Sequence, residues 1–111
     1  MAKIFVAATL THNDLPRLRG LVRQRAGQAV RKAASDIEAG AKDRAPVDTG
    51  ALKNSIQAKS TGELSAEIGP GVDYGIYVEL GTHKAAAQPY LVPAAEFVRP
   101  SFEAAMKQLL D

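Results

Sequence analysis

The chain has 111 residues, a formal net charge of +2, 46% hydrophobic residues and 23% charged residues. This composition excludes a disordered chain, and this length supports one domain over residues 1–111, because a chain of this size buries roughly two-thirds of its surface around a single core. The absence of cysteine excludes a disulfide framework and a thiolate zinc site.

The first predicted element is a strand over residues 3–10, a run of β-branched, aromatic and alanine residues that ends at a polar cluster over residues 11–14. This apolar run is too short for the hydrophobic region of a signal peptide and far too short to span a bilayer. We therefore expect neither export nor a membrane anchor, and a chain without cysteine suits a reducing cytoplasm.

A long helix is predicted next. Apolar residues recur every three or four positions from Leu15 to Ala41, the spacing that forms one buried helical face. Alanines in the middle of this face allow a neighbouring backbone to approach closely. Pro46 is expected to stop the helix, and the residues after it have turn chemistry. We predict a structural corner between helix and sheet made of Pro46, Asp48, Thr49 and Gly50.

Three strands and a second helix are predicted to follow. Residues 52–58 and 64–68 alternate in polarity around Thr61 and Gly62 and predict a β-hairpin, and residues 74–80 predict a further strand. After Pro89 and Pro93, an apolar face from Phe97 to Leu109 predicts a C-terminal helix that Pro100 either kinks or begins. The predicted fold is α+β, with one small, mostly antiparallel sheet packed against a long N-terminal helix and a C-terminal helix, in the order β-α-β-β-β-α.

One motif suggests catalysis. Asp48-Thr49-Gly50-Ala51 matches the active-site tetrapeptide of retroviral-type aspartic proteases, which are homodimers in which each subunit supplies one carboxylate. However, that active loop leaves an apolar strand in a nearly all-β fold, whereas Asp48 follows a predicted long helix. We interpret the tetrapeptide as a turn and predict no enzymatic activity, with a homodimeric aspartic protease as the alternative.

No cofactor or metal site is predicted. His12 and His83 are isolated in polar turns, without the further ligands that a metal site needs. Gly69-Pro70-Gly71 precedes a predicted strand, whereas a phosphate-binding loop would open a helix.

The long helix has a basic face. Arg17, Arg25, Arg31 and Lys32 fall opposite its apolar stripe, and no acidic residue lies between Leu15 and Ser35. A solvated face is the simplest interpretation. The more specific interpretations are contact with an acidic partner and contact with DNA, because phosphate contacts need only positive charge. A small basic nucleic-acid-binding module is therefore a further alternative.

Three ordered segments carry a family resemblance: Ala45-Pro46-Val47-Asp48-Thr49-Gly50-Ala51-Leu52-Lys53-Asn54-Ser55-Ile56, Tyr74-Gly75-Ile76-Tyr77-Val78-Glu79-Leu80-Gly81-Thr82 and Gln88-Pro89-Tyr90-Leu91-Val92-Pro93-Ala94. From Leu15 to the C-terminus, the chain resembles the bacteriophage tail-component family named for gene product ten of phage HK-ninety-seven. Gly75 is a small departure, since the family pattern favours alanine there.

The resemblance implies a structural virion protein of a tailed bacteriophage or prophage that acts in head-tail joining or tail completion at the neck. It further implies a homo-oligomeric ring, contacts with a connector or head-closure protein and with tail-tube or tail-terminator proteins, and assembly in the host cytoplasm. Non-specific contact with DNA in the channel would fit such a ring. The loop after the last predicted strand is the candidate subunit contact, with residues Glu79, Gly81, Thr82, His83, Lys84, Pro89 and Tyr90.

Overall fold

The computed structural model describes residues 3–7, 20–47 and 50–110. The elements in chain order are β1 (Ile4–Ala7), α1 (Leu21–Arg44), α2 (Ala51–Ser55), β2 (Gln57–Gly62), β3 (Ser65–Gly69), α3 (Gly75–Leu80) and α4 (Leu91–Leu110). None of the helices over these residues is long and apolar enough to cross a membrane.

The sheet has three antiparallel strands in the order β1-β3-β2. In the central strand, Ala66 and Ile68 are buried, so the sheet presents this face to the helices. A register irregularity between Ser60 and Gly62 lies just before the turn of the β2–β3 hairpin. The sheet therefore contributes one apolar face and leaves β1 and β2 as its two edge strands.

α1 packs against both the sheet and α4, because its buried stripe consists of small and branched residues. The buried members are Ala26, Gly27, Val30, Ala33, Ala34, Ile37 and Ala41. Gly40 lies so close to α4 that a Cβ added there would stand 3.3 Å from the Cβ of Ala94. The small residues allow this approach, and the predicted close packing of the alanine-rich face is confirmed.

The predicted class is confirmed: an α+β fold with a small antiparallel sheet, a long N-terminal helix and a C-terminal helix. The order of elements differs from the prediction at two segments, where helices α2 and α3 replace predicted strands. Two predicted boundaries also change: the hairpin turns at residues 63–64, and Gly20, with a φ of 55°, precedes α1, which begins at Leu21. Residues 8–10 of the predicted strand and residues 15–19 of the predicted helix lie outside the described residues.

The prediction of a strand over residues 52–58 is wrong for its first half. Leu52 and Ile56 are both buried, and their separation of four residues fits a helical turn as well as it fits strand alternation. Gly50 decides for the helix: its φ of 84° lies in the left-handed region, and its carbonyl accepts the N–H of Asn54 at 2.9 Å. The chain thus makes the short helix α2 before β2.

The strand predicted over residues 74–80 is also wrong, since these residues form α3. Gly75 and Glu79, four residues apart, are buried, whereas Tyr74, Tyr77 and Leu80 are exposed. This is a helical pattern, and the apparent alternation came from the apolar residues being distributed over both faces.

Helix α4 begins at Leu91, earlier than the prolines suggested. Pro93 lies in its first turn, where a missing N–H breaks no helical hydrogen bond. Pro100 lies inside the helix and so neither begins it nor ends it.

Candidate interaction surface

A buried carboxylate fastens α3 to the start of α4. Glu79 is only 6% exposed, and its Oε1 accepts the backbone N–H groups of Tyr90 and Leu91 at 2.9 and 2.8 Å. Its Oε2 accepts the N–H of Val92 at 3.1 Å. The first N–H groups of a helix have no intrahelical partner, and a negative charge there also interacts favourably with the helix dipole. Glu79 is therefore the cap of α4, supplied by another helix.

Tyr90 fastens the same junction from the other side. Its ring is fully buried, and its hydroxyl donates to the carbonyl of Gly75 at 2.9 Å. Burial, followed by the negative charge of Glu79, raises the pKa of Tyr90 to about 12. Gly75 has no room for a side chain, since a Cβ would stand 2.5 Å from Pro70 and 2.8 Å from the Tyr90 hydroxyl. The departure from the family pattern at Gly75 thus has a steric reason in this chain.

The loop between α3 and α4 is held by hydrogen bonds at its base and its tip. Gly81 has a φ of 78° and donates its N–H to the carbonyl of Tyr77 at 2.8 Å. Thr82 and Ala85 exchange two backbone hydrogen bonds, and the Thr82 hydroxyl accepts the N–H groups of Lys84 and Ala85. Residues 82–89 are all exposed.

The candidate contact loop therefore divides into two groups. Glu79 and Tyr90 are buried and support the loop, whereas Thr82, His83, Lys84 and Pro89 are exposed. Gly81 is half-buried. It has no room for a side chain, since a Cβ there would stand 2.7 Å from the backbone nitrogen of Ala87. The contact role of these residues remains a prediction.

Beside the loop, α3 presents an apolar ridge that the sequence analysis missed. Tyr74, Tyr77 and Leu80 are 46%, 61% and 70% exposed and lie three residues apart, so they share one face. We call these three residues the α3 ridge. The three-residue spacing of Tyr74, Tyr77 and Leu80 could have indicated a shared helical face, but the segment was interpreted as a strand.

The predicted structural corner is described in part. Pro46 is half-buried directly beyond α1, and Gly50 begins α2. Asp48 and Thr49 lie outside the described residues, so the role proposed for the Asp48 carboxylate stays a prediction. The tetrapeptide follows α1, and its last residue, Ala51, begins α2, whereas the protease motif follows a strand. The fold therefore gives no support to the protease alternative.

The predicted basic face is exposed where it is described. Arg25, Arg31 and Lys32 are exposed on α1, and Arg17 lies outside the described residues. Lys32 pairs with Asp36 at 2.8 Å, whereas Arg25 and Arg31 form no ion pair with any other described residue. The face carries positive charge, but one of its members is locally compensated.

Within residues 3–7, 20–47 and 50–110, no cluster of histidine and carboxylate side chains could hold a metal ion. The α3 ridge groups three exposed apolar residues on one face of an anchored helix, and grouped apolar side chains of this kind favour a contact with another macromolecule.

Comparison with known families agrees with this class. Residues 12–81, more than half of the chain, match the family described as "Bacteriophage HK97-gp10, putative tail-component". The chain belongs to this family of bacteriophage tail components, as the resemblance predicted, and its class is that of a structural virion protein. The match ends at residue 81, so the third resembling segment, residues 88–94, lies beyond it. No curated protein and no solved structure matches the chain.

Proposed function

We propose that this chain joins heads to tails, or completes tails, at the neck of a tailed bacteriophage by assembling into a ring of identical subunits. The observation that carries the proposal is the α3 ridge in a member of a tail-component family. Tyrosine is one of the residues that supply most of the binding energy at protein interfaces, and Leu80 adds apolar area beside the two tyrosines. A role in assembly explains why the chain keeps them in water.

The anchoring of α3 also supports an assembly function. Glu79 and Tyr90 hold the helix from its buried side, so the ridge loses little conformational freedom when it binds. A contact that is rigid before binding has less ordering entropy to overcome. The described residues extend over 51 × 20 × 19 Å, and this elongated shape supports the proposal because it leaves room for contacts with sister subunits and with other virion proteins at different places.

The proposed partners are copies of this chain, a connector or head-closure protein on one side and a tail-tube or tail-terminator protein on the other. The protein would assemble in the host cytoplasm and reside in the virion. The basic face of α1 is the surface for non-specific contact with DNA in the channel, since Arg25 and Arg31 are exposed.

Sedimentation velocity over a range of concentrations, followed by electron microscopy of the largest species, tests this function. We expect a shift from monomer to a closed ring as the concentration rises. A chain that stays monomeric at every concentration, both alone and with tail tubes or connectors, would contradict the proposal. The DNA contact is tested separately by titration with duplex DNA at two salt concentrations, where affinity should fall steeply with salt.

A further inference from the structure

The α3 ridge has a concave counterpart elsewhere on the molecule. A groove of about 520 Å³ lies between β1, α1 and α4. Most of its lining is apolar, including Ile4 and Val6 from β1, Ile37 from α1, and Val92, Ala95 and Phe102 from α4. No residue of the α3 ridge lines it, so ridge and groove are two different surfaces.

The ridge is shorter than the groove. The ridge extends from Tyr74 to Leu80, about 9 Å at the rise of a helix. The α4 side of the groove extends from Val92 to Glu103, about 16 Å by the same measure. The ridge is therefore short enough to lie lengthwise within the groove.

Charged side chains lie beside both surfaces. The exposed Asp73 precedes the ridge, and Lys84 lies in the exposed loop that follows it, with His83 next to it. The rim of the groove carries Glu96, Arg99 and Glu103. Arg99 pairs with Glu103 at 3.0 Å, which leaves Glu96 without an ion-pair partner among the described side chains. The groove thus offers a carboxylate beside an apolar floor, and the loop offers a cation beside an apolar ridge.

We propose that the α3 ridge of one subunit inserts into the groove of a second copy of this chain, with Lys84 of the first subunit facing Glu96 of the second. The inference rests on the proposed ring assembly and names its interface. Because ridge and groove are different patches, the contact is head to tail. Repeated contacts of this kind close into a ring when the rotation per subunit permits it.

Cysteine cross-linking between two single variants tests the interface directly, because the chain contains no cysteine of its own. Leu80→Cys and Ala95→Cys are prepared separately with tags of different mass, mixed under assembling conditions and oxidised. A disulfide between the two variants can form only between chains. The control replaces Ala95→Cys with Gln28→Cys, an exposed position on α1 outside the groove.

We expect the Leu80→Cys and Ala95→Cys mixture to cross-link at least tenfold faster than the control mixture. Equal rates in preparations that form rings would overturn this interface and leave ring assembly intact. Cross-linking of Leu80→Cys mainly to itself would also overturn it, since that product indicates a symmetric contact. Absence of both rings and cross-links would contradict the proposed function as well.

A charge exchange provides a second test that does not depend on disulfide geometry. Lys84→Glu should weaken association several-fold, because it places a carboxylate against Glu96. Glu96→Lys in the same chain should restore the association, since the pair is then reversed. Both positions are exposed, so the chain should fold in both variants. Failure of the second change to restore association would count against the proposed pairing.

Discussion

The two faces of α3 differ sharply although they alternate along six residues. The inner face contains Gly75 and Glu79, which are buried and joined by hydrogen bonds to Tyr90 and the start of α4. The outer face is the α3 ridge, which is exposed and whose side chains form no hydrogen bond to other described residues. One short helix can thus serve stability with one face and assembly with the other. Substitutions on the inner face should destabilise the chain, and substitutions on the outer face should leave it folded but unable to associate.

The largest expected effect is at Glu79. Replacing it with alanine leaves three N–H groups at the start of α4 without their acceptor in a region that is largely closed to water. We expect Glu79→Ala to lower the free energy of unfolding by about 3 kcal/mol or more. Urea unfolding followed by circular dichroism measures the loss.

Glu96→Gln is the matched control for this change. Glu96 is an exposed carboxylate on α4, the helix that Glu79 caps, and its neutralisation should change the free energy of unfolding by less than about 0.5 kcal/mol. Similar stabilities for Glu79→Ala and Glu96→Gln would show that the inner face does not hold the junction.

The next effect concerns the space around Gly75. Alanine there would bring a methyl group to within 2.5 Å of Pro70, so the neighbours must move. We expect Gly75→Ala to cost about 1–3 kcal/mol of stability. Gly71→Ala, where the nearest atom is 3.3 Å from the added Cβ, should cost less when measured in the same urea titration. The reverse ranking of the two variants would contradict the packing described for the inner face.

A smaller effect appears at high pH through Tyr90. Its folded pKa of about 12 lies above the value of about 10 expected in the unfolded chain. The folded chain therefore holds the phenol proton more tightly, and this contribution is complete below pH 10 and is lost as the pH rises from 10 to 12.

Comparison with Tyr90→Phe isolates this contribution, since the other titrating groups are the same in both proteins. Below pH 10 the variant should be about 1 kcal/mol less stable, because it lacks the hydrogen bond to Gly75. The difference should shrink above pH 10 and reverse in sign before pH 12, because a pKa difference of about two units corresponds to roughly 2.7 kcal/mol, more than the hydrogen bond contributes. A stability difference that does not vary between pH 9 and pH 12 would contradict the buried, hydrogen-bonded state of the phenol.

The smallest expected effect on folding is on the outer face. Leu80→Asp should change the free energy of unfolding by less than about 0.5 kcal/mol, since the side chain is 70% exposed. The same change should abolish the concentration-dependent increase in sedimentation coefficient. Leu21→Asp, at another exposed leucine, should leave both properties unchanged. If Leu80→Asp assembles as the unmodified chain does, the ridge has no role in association.

Much of the fold follows from the sequence. The period of the apolar stripe predicted α1, because a helix of that length must bury one continuous face, and Pro46 marked its end. The β2–β3 hairpin followed from alternation. The short helices α2 and α3 could not be predicted from periodicity, because five or six residues are too few to separate helix spacing from strand spacing. Leu52 and Ile56, for example, fit both. The left-handed conformation of Gly50 favours α2, and the hydrogen bonds of Glu79 to the start of α4 favour α3. Both features depend on the tertiary structure around them.

The candidate site was predicted less completely. The sequence marked the segment from Glu79 to Tyr90 but gave no means of separating its supporting members from its exposed ones, since Glu79 makes its hydrogen bonds to residues at least eleven positions away. The exposed pair of Tyr77 and Leu80 was not predicted, because the predicted strand places these two residues on opposite faces and buries Leu80. Burial depends on which neighbours the chain meets, and local patterns do not record that.

Virion assembly with and without this chain tests the central claim most directly. In a phage or prophage lacking the gene, electron microscopy should reveal filled heads and separate tails, and expression of the unmodified chain should restore tailed particles. Leu80→Asp should fail to restore them although it folds, and Leu21→Asp should succeed. Complete, infectious tailed particles assembled in the absence of the chain would contradict its role as a structural joint.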